Sequence, residues 1–344
     1  MGAGNNTLTW QARPSWNPFF IVGNDRSGTT MLRLIVDRGA DAAVPPESMF
    51  LTDFAAGFDA GGPRDAPAAA ELMREVWRHP KVRLWGLAPQ APAVPPELSG
   101  REAYRFIVAA PFEAYAARHG KQRWGDKTPH YVHHVDHLLR LWPRARVVVL
   151  VRDGRDVALS LRRMPFGPNN AWAAAQWWAR GVRAGARAQR EHPDSVLTVH
   201  YEALAERPQE QVQRLCGFLG LGYDEDMLAL DHVDPTLIVP DQAAWFPTLF
   251  DGINTSAVGR WQREMSRRDR RIFAALAGAE LEQLGYEVGE AAPAVTAREA
   301  RWLRRHNELM RSVNFLRLRL VQERGRELRF ALARRLRDPV KRAR

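Results

Sequence analysis

The sequence predicts a three-layer α/β/α fold with a central parallel sheet, and three stretches carry that prediction. Phe19 to Val22 is a short apolar run that passes through a Gly/Ser/Thr turn into a periodic apolar segment beginning near Met31. That order is a strand, a loop and a helix start. Arg146 to Val151 reads RVVVLV, a β-branched run without alternation, as expected of a strand buried on both faces. Ser195 to His200 reads SVLTVH, a third good strand. Helical periodicity follows each of the three, so the connections are crossovers and the sheet is parallel and covered on both sides.

The remaining elements follow in chain order. Residues 1–17 form an irregular arm containing Pro14. The helix after the first loop runs to about Arg38 and stops at Gly39. Val44-Pro45-Pro46-Glu47-Ser48 is a stiff extended turn. Residues 55–68 and 86–100, rich in Gly, Ala and Pro, read as loops, with helices over 69–79 and 101–119. Together, residues 41–120 form a helical insertion between strands, the expected acceptor side, because such insertions often carry substrate contacts. Trp124 to Pro129 closes a short strand before a helix over 130–141 that is rich in His and Leu. Further helices are expected from Val157 and over 170–191, 208–219 and 267–285, completing an α/β domain over 18–290. In residues 297–344, Leu309, Val313, Leu316 and Leu320 form a stripe that Leu328, Leu332 and Leu336 continue past Gly325. The other faces are mostly Arg, which predicts a long basic amphipathic helix with a bend allowed at Gly325.

Composition narrows the function classes. A single cysteine, Cys216, excludes an intramolecular disulfide and any multi-cysteine metal site, and its apolar neighbours make it a core thiol suited to a reducing compartment. The first sixteen residues contain no apolar run, so a cytoplasmic location without a leader is expected. The net charge is +11. Residues 297–344 hold fifteen Arg and one Lys against five acidic residues, which is the whole excess; the rest balances at 34 basic and 34 acidic. Basic character therefore belongs to the tail, and this argues against nucleic acid as a ligand of the fold. The tail itself suits peripheral attachment to an anionic membrane surface, or a contact with the body of the protein or a second subunit.

The first loop holds the chemistry. Gly23-x4-Gly28 matches the phosphate-binding pattern G-x-x-x-x-G-K-[ST] except that Thr29 stands where Lys is expected and the cation has moved to Arg26. A loop of this kind aims backbone N–H groups and a helix dipole at an oxyanion. A nucleoside triphosphatase needs the Lys on its terminal phosphates, so its absence points to another phosphate-end group. Ligands of open α/β sheets bind at the carboxyl ends of strands. The other two strands end in Arg152-Asp153-Gly154-Arg155 and in Tyr201-Glu202. Two separated cationic sites suit a nucleotide with phosphates at two places. Arg152 and Ser160 have the spacing to reach one phosphate; the competing reading makes Arg152 and Asp153 a structural ion pair. Taken residue by residue, a P-loop kinase-like enzyme, a nucleotide-binding protein without catalysis and a nucleic-acid module driven by the tail all stay open. Glu47 by itself would favour the next helix N-terminus, and Lys127 a surface pair with Asp126. His130, His134 and His137 share a face of the expected helix, read as solvated or acceptor-facing rather than metal-binding.

In order and spacing these motifs resemble the sulfotransferases that use 3′-phosphoadenosine 5′-phosphosulfate. The pattern is nearest to the bacterial and tyrosylprotein-type branch, which carries Arg in the loop. Arg26-Ser27-Gly28-Thr29-Thr30 resembles the 5′-phosphosulfate loop, and Val151 to Ser160 the 3′-phosphate element. Tyr201 to Pro208 resembles the segment whose Tyr lies near the nucleotide, and Gly259-Arg260-Trp261 the late loop whose cation returns to the 3′-phosphate. The resemblance spans residues 18 to 285. It implies a P-loop-like fold and donor contacts from Arg26, Ser27, Gly28, Thr29, Thr30, Arg152, Ser160, Tyr201 and Arg260. It also implies Glu47 as general base, Lys127 and Arg26 as stabilisers of the leaving phosphate, in-line transfer to a hydroxyl acceptor and no metal. The branch often places a further Arg after the serine of the 3′-phosphate element, for which Arg162 and Arg163 are the candidates. The acceptor class stays open among carbohydrate, lipid-linked, peptide and natural-product hydroxyls.

Overall fold

A computed structural model describes residues 17–88, 91–162, 164, 167–230, 252–289 and 293–336, with only the backbone given for 318–336. The expected arm (1–16), Arg163, the tail's last eight residues and the side chains of Leu320, Leu328, Leu332 and Leu336 lie outside the described part. Among the described residues, five strands form one parallel sheet: β1 (Phe19–Gly23), β2 (Ala42–Ala43), β3 (Arg123–Lys127), β4 (Arg146–Val151) and β5 (Val196–His200). Their order is β2-β3-β1-β4-β5. β1 is central because its five residues are all buried and it has partners on both sides. The chain goes to one side of β1 for β3 and to the other for β4. That reversal makes the carboxyl end of β1 the switch point at which α/β sheets bind ligands. The register sets Ile21 beside Lys127 and Gly23 beside Leu150, so these strand ends meet along one edge.

The chain divides into two compact units, Met1–Arg152 with Gly181–Val258, and Asp153–Arg180 with Gly259–Arg344. In the first unit alternate residues of β1 face different cores, as a pleated strand requires. Phe19 and Ile21 pack with helix α1 (Thr29–Arg38) and with Leu204, Val212 and Leu215. Phe20 faces an aromatic group: Trp142 lies 5.7 Å away, and Trp124 stacks on Phe112 at 4.4 Å. Helices α2 (Phe50–Asp53), α3 (Ala55–Asp59), α4 (Ala66–Arg78) and α5 (Gly100–Arg118) make up the insertion. The stretch expected as a loop from residue 55 thus begins with a short helix. The expected helix over 130–141 is instead a 3-10 turn (Pro129–His133) followed by α6 (Val135–Leu141). His134 leaves helical geometry between them, so His130 and His137 do not share one α-helical face. His137 is buried against Phe58, while the His130 ring lies near those of His133 and His134.

α8 (Ala171–Glu191) runs through both units, and α9 (Tyr201–Glu206) and α10 (Pro208–Leu219) complete the first. The second unit contains α7 (Gly154–Leu161), α11 (Trp261–Glu264), α12 (Arg267–Gln283) and α13 (Ala297–Leu336). Its organising contact is the Asp156 carboxylate, which accepts the backbone N–H groups of Gly259 and Trp261, each at 2.8 Å. The Arg155 guanidinium lies 3.5 Å from the centre of the Trp261 ring and pairs with Asp153. α13 is one continuous helix through Gly325.

Candidate active site

The loop between β1 and α1 is shaped by backbone constraints. Gly23 has φ 149°, and a Cβ there would sit 2.3 Å from the Leu150 carbonyl oxygen. Gly28, with φ 95°, is the residue before α1, where a Cβ would lie 2.4 Å from the Tyr201 ring. Between them Arg26 holds a left-handed conformation, φ 68°, which is uncommon for a residue with a side chain. Such conformations cluster at functional sites because the surroundings must enforce them. Ser27, Thr29 and Thr30 are buried. No side chain caps the start of α1, and the buried Ser27 hydroxyl has no hydrogen-bond partner among the described residues. An uncapped helix N-terminus beside a buried, unmatched hydroxyl suits an incoming oxyanion.

Lys127 connects this loop to the insertion. Standing last in β3, its ammonium lies 2.7 Å from Glu47 Oε1 and 3.3 Å from Thr30 Oγ1. Its side chain is 5 % exposed and that of Glu47 30 %. The expected alternative, a surface pair of Lys127 with Asp126, does not hold, since both residues are buried and Lys127 pairs with Glu47. Burial alone would push the Glu47 carboxyl up. The charge and hydrogen bond of Lys127, with help from Lys81 and Arg33, outweigh it and hold the group below its usual range. Glu47 is therefore ionised at neutral pH.

A buried network fixes the turn that carries Glu47. The Ser48 N–H donates to Thr128 Oγ1, and the Ser48 hydroxyl meets the Tyr131 hydroxyl at 3.0 Å. The Leu51 N–H donates to the same Tyr131 oxygen, and the Thr128 hydroxyl donates to Asp126 Oδ1. Asp126 is fully buried, and burial pushes its carboxyl up to about 7, against the smaller lowering effects of Thr128, Ser48 and Lys127. Asp25, in the loop, is also raised, first by burial and then by the charge of Glu47. Glu47 is thus lowered while Asp25 and Asp126 are raised, opposite shifts within one site and a pattern of acid/base sites.

On the other side of the loop the Arg152 guanidinium donates to the carbonyl oxygens of Arg26 and Ala257. It lies 4.6 Å from the centre of the Tyr201 ring, a cation–π distance. Burial and then the charge of Arg152 lower Arg26 from its ordinary value. Two cations that disfavour each other in a desolvated corner favour an anion between them.

In the first unit the structure thus brings together Arg26, Ser27, Gly28, Thr29 and Thr30 with Glu47 and Lys127 on one side and Arg152 and Tyr201 on the other. Ser160 and Arg260 belong to the second unit. Ser160 stands in α7, and Asp156 of the same helix anchors the turn that carries Arg260. The Arg260 guanidinium is paired with Glu264 at 2.7 Å. Asp153, expected as an alternative partner for Arg152, forms its ion pair with Arg155. The sequence reading missed Asp25 and the Asp126–Thr128–Ser48–Tyr131 network. Asp25 was on view inside the loop motif, next to Arg26. The network joins residues about eighty apart in the chain, and no local spacing announces it.

Comparisons with known proteins place the chain in a family. The model of the sulfotransferase family matches residues 18–225. A putative protein-tyrosine sulfotransferase of Caenorhabditis briggsae is 26 % identical over 282 residues, covering 80 % of this chain and 90 % of that protein. The nodulation protein NoeE of Sinorhizobium fredii is 27 % identical over 298 residues, covering 78 % of this chain and 65 % of its own length. Among solved structures, the sulfotransferase domain of the Synechococcus PCC 7002 olefin synthase superposes with TM-score 0.53 at 24 % identity, covering 79 % of this chain and 95 % of that one. That superposition speaks for the fold. With the family model matched over more than half of its length, through the anion loop and all five strands, the chain belongs to the sulfotransferase family.

Proposed function

We propose that the protein moves a sulfuryl group from 3′-phosphoadenosine 5′-phosphosulfate to a hydroxyl acceptor, with Glu47 as general base. The observation that carries the reading is the Lys127 ammonium, which bridges Glu47 Oε1 and Thr30 Oγ1 and so ties a carboxylate to an anion loop. The unmatched Ser27 hydroxyl and the desolvated Arg26 cation suit the phosphosulfate end of such a donor. When bound, the donor supplies an activated sulfuryl group.

The residues of the chain would then act as follows. Glu47, already ionised, takes the acceptor hydroxyl proton as the acceptor oxygen bonds to sulfur. Arg26, Lys127 and the N–H groups at the start of α1 hold the charge that grows on the departing phosphate oxygen, a preorganised electrostatic effect. Thr29 and Thr30 orient the same end through their hydroxyls. Arg152 and Tyr201 hold the nucleotide side. The assignment of Ser160 and Arg260 to the 3′-phosphate rests on the motif resemblance. The loop's cations take the place that a metal ion fills in nucleoside triphosphatases, so the reading requires none. The acceptor bears a hydroxyl. The nematode relative's name points to tyrosine, and no observation on this chain prefers it over other hydroxyls.

A ligand-dependent melting experiment tests the donor. Adenosine 3′,5′-bisphosphate is expected to raise the melting temperature without magnesium, while ATP with magnesium leaves it nearly unchanged. Stabilisation by ATP with magnesium and none by the bisphosphate would mean a kinase-like enzyme instead.

A further inference from the structure

Helix α13 presents a surface that the proposed transfer reaction does not use. Among the described residues five large hydrophobic side chains are exposed, and four of them, Trp302, Leu309, Phe315 and Leu316, stand on this one helix. Trp302, Leu309 and Leu316 recur every seven residues, which sets them on one line along the helix. A different line docks the helix within its own unit. There Leu303 is buried, its carbonyl accepts from Asn170, and Asn307 and Asn314 both bond Asn169. The sequence allowed the Leu stripe to pack against the body, but Leu309 is 63 % and Leu316 59 % exposed.

Charge selects the occupant of this face. Arg298, Arg301, Arg305 and Arg317 are exposed within about a quarter turn of this line, and the Arg268 guanidinium lies 5.5 Å from the Trp302 ring centre. The segment 297–344 carries the entire +11 of the chain. A second copy would bring two such segments together, which like-charge repulsion opposes. A nucleic acid would neutralise the arginines but leave the Leu309/Leu316 line in water. An anionic bilayer surface satisfies both, because apolar side chains enter the headgroup boundary while arginines meet lipid phosphates. No helix among the described residues is long and apolar enough to cross a membrane, so the helix would lie along the surface. Its forty residues would extend about 60 Å.

We infer that α13 is a docking helix for an anionic lipid surface, with the Trp302/Leu309/Leu316 line inserted and the flanking arginines on headgroup phosphates. The inference is independent of the donor assignment, since no residue of the proposed site takes part in it.

Sedimentation of the full chain with phosphatidylcholine vesicles, with and without phosphatidylglycerol, tests it. Binding is expected to depend on phosphatidylglycerol and to fall at least about tenfold in Leu309→Ser/Leu316→Ser, with an unchanged melting temperature. Arg305→Gln/Arg317→Gln, which leaves the apolar line intact, is expected to weaken binding and reduce its sensitivity to salt. No binding beyond that to phosphatidylcholine, or binding that Leu309→Ser/Leu316→Ser does not alter, would overturn the inference. So would a dimer in vesicle-free solution that Leu309→Ser/Leu316→Ser dissociates, which would assign the face to a second copy. Polyuridylate binding without vesicle binding would assign it to nucleic acid.

Discussion

The Lys127 corner and helix α13 are both rich in charge, and they use it in opposite ways. Lys127, Glu47, Arg26 and Arg152 are few and largely desolvated, and Lys127 meets named atoms within 3.3 Å. The arginines of α13 are many and exposed, and the line of Trp302, Leu309 and Leu316 runs between them. In a low dielectric a charge acts strongly on its immediate neighbours, so a displacement of one atom changes chemistry. In water a charge is screened over about 8–10 Å, and only a large, repeated surface of opposite charge responds. The first arrangement suits transition-state stabilisation, the second a surface.

Removing the proposed base makes the largest break. Glu47→Gln is expected to cut transfer by about a thousandfold while bisphosphate affinity stays within about threefold, because the carboxylate acts on the acceptor's proton and not on the nucleotide. Turnover near the native rate, checked with labelled donor, would remove Glu47 from the role and turn attention to Asp25.

A second test sits beneath the same corner. The Asp126 carboxyl is raised from 3.8 to about 7, so the folded state keeps a proton that the unfolded chain has already released. Its contribution to stability is full below about pH 4, falls as pH rises towards about 7, and is flat above that. Over that window the loss is on the order of a few kcal/mol. Asp126→Asn lacks this loss, so its melting temperature should gain on the native protein as pH rises from about 4 to about 7. Parallel melting curves for the two proteins would show that Asp126 does not hold the proton.

Arg152→Ala sharpens the comparison from the nucleotide side. It is expected to weaken adenosine 3′,5′-bisphosphate by about a hundredfold, measured calorimetrically, because a desolvated cation leaves. Gly28→Ala should have the smallest effect, about 1–3 kcal/mol of stability read from denaturant unfolding, through left-handed strain and collision with the Tyr201 ring. A neutral result at Gly28 would mean that the loop and Tyr201 are less tightly apposed.

Much of this was legible before the fold was known. The strands Phe19–Gly23, Arg146–Val151 and Val196–His200, and the helices at 171–191 and 208–219, follow from apolar runs and periods whose cause is local. The loop was legible because its glycines fall at the spacing of an anion-loop motif, although what excludes a Cβ at Gly23 and Gly28 is Leu150 and Tyr201, far away in the chain. The break of the 130–141 helix at His134 was not, since the expectation counted apolar period and not the extended Thr128 and 3-10 turn that precede it. Arg152 and Asp153 are adjacent in sequence, yet Asp153 bonds Arg155, because its carboxylate caps the start of α7 and accepts the Arg155 N–H.

The sequence by itself determined that a parallel sheet is present, the anion loop with its displaced cation, and the confinement of the net charge to one tail, because hydrophobic period, motif spacing and composition are properties of short stretches. The tertiary structure alone decided that Lys127 faces Glu47 rather than Asp126, that Asp25 and Asp126 share the corner with raised carboxyls, and that the stripe of α13 looks outward. Those outcomes depend on distances between residues far apart in the chain and on the water removed between them, and neither quantity exists until the chain has folded.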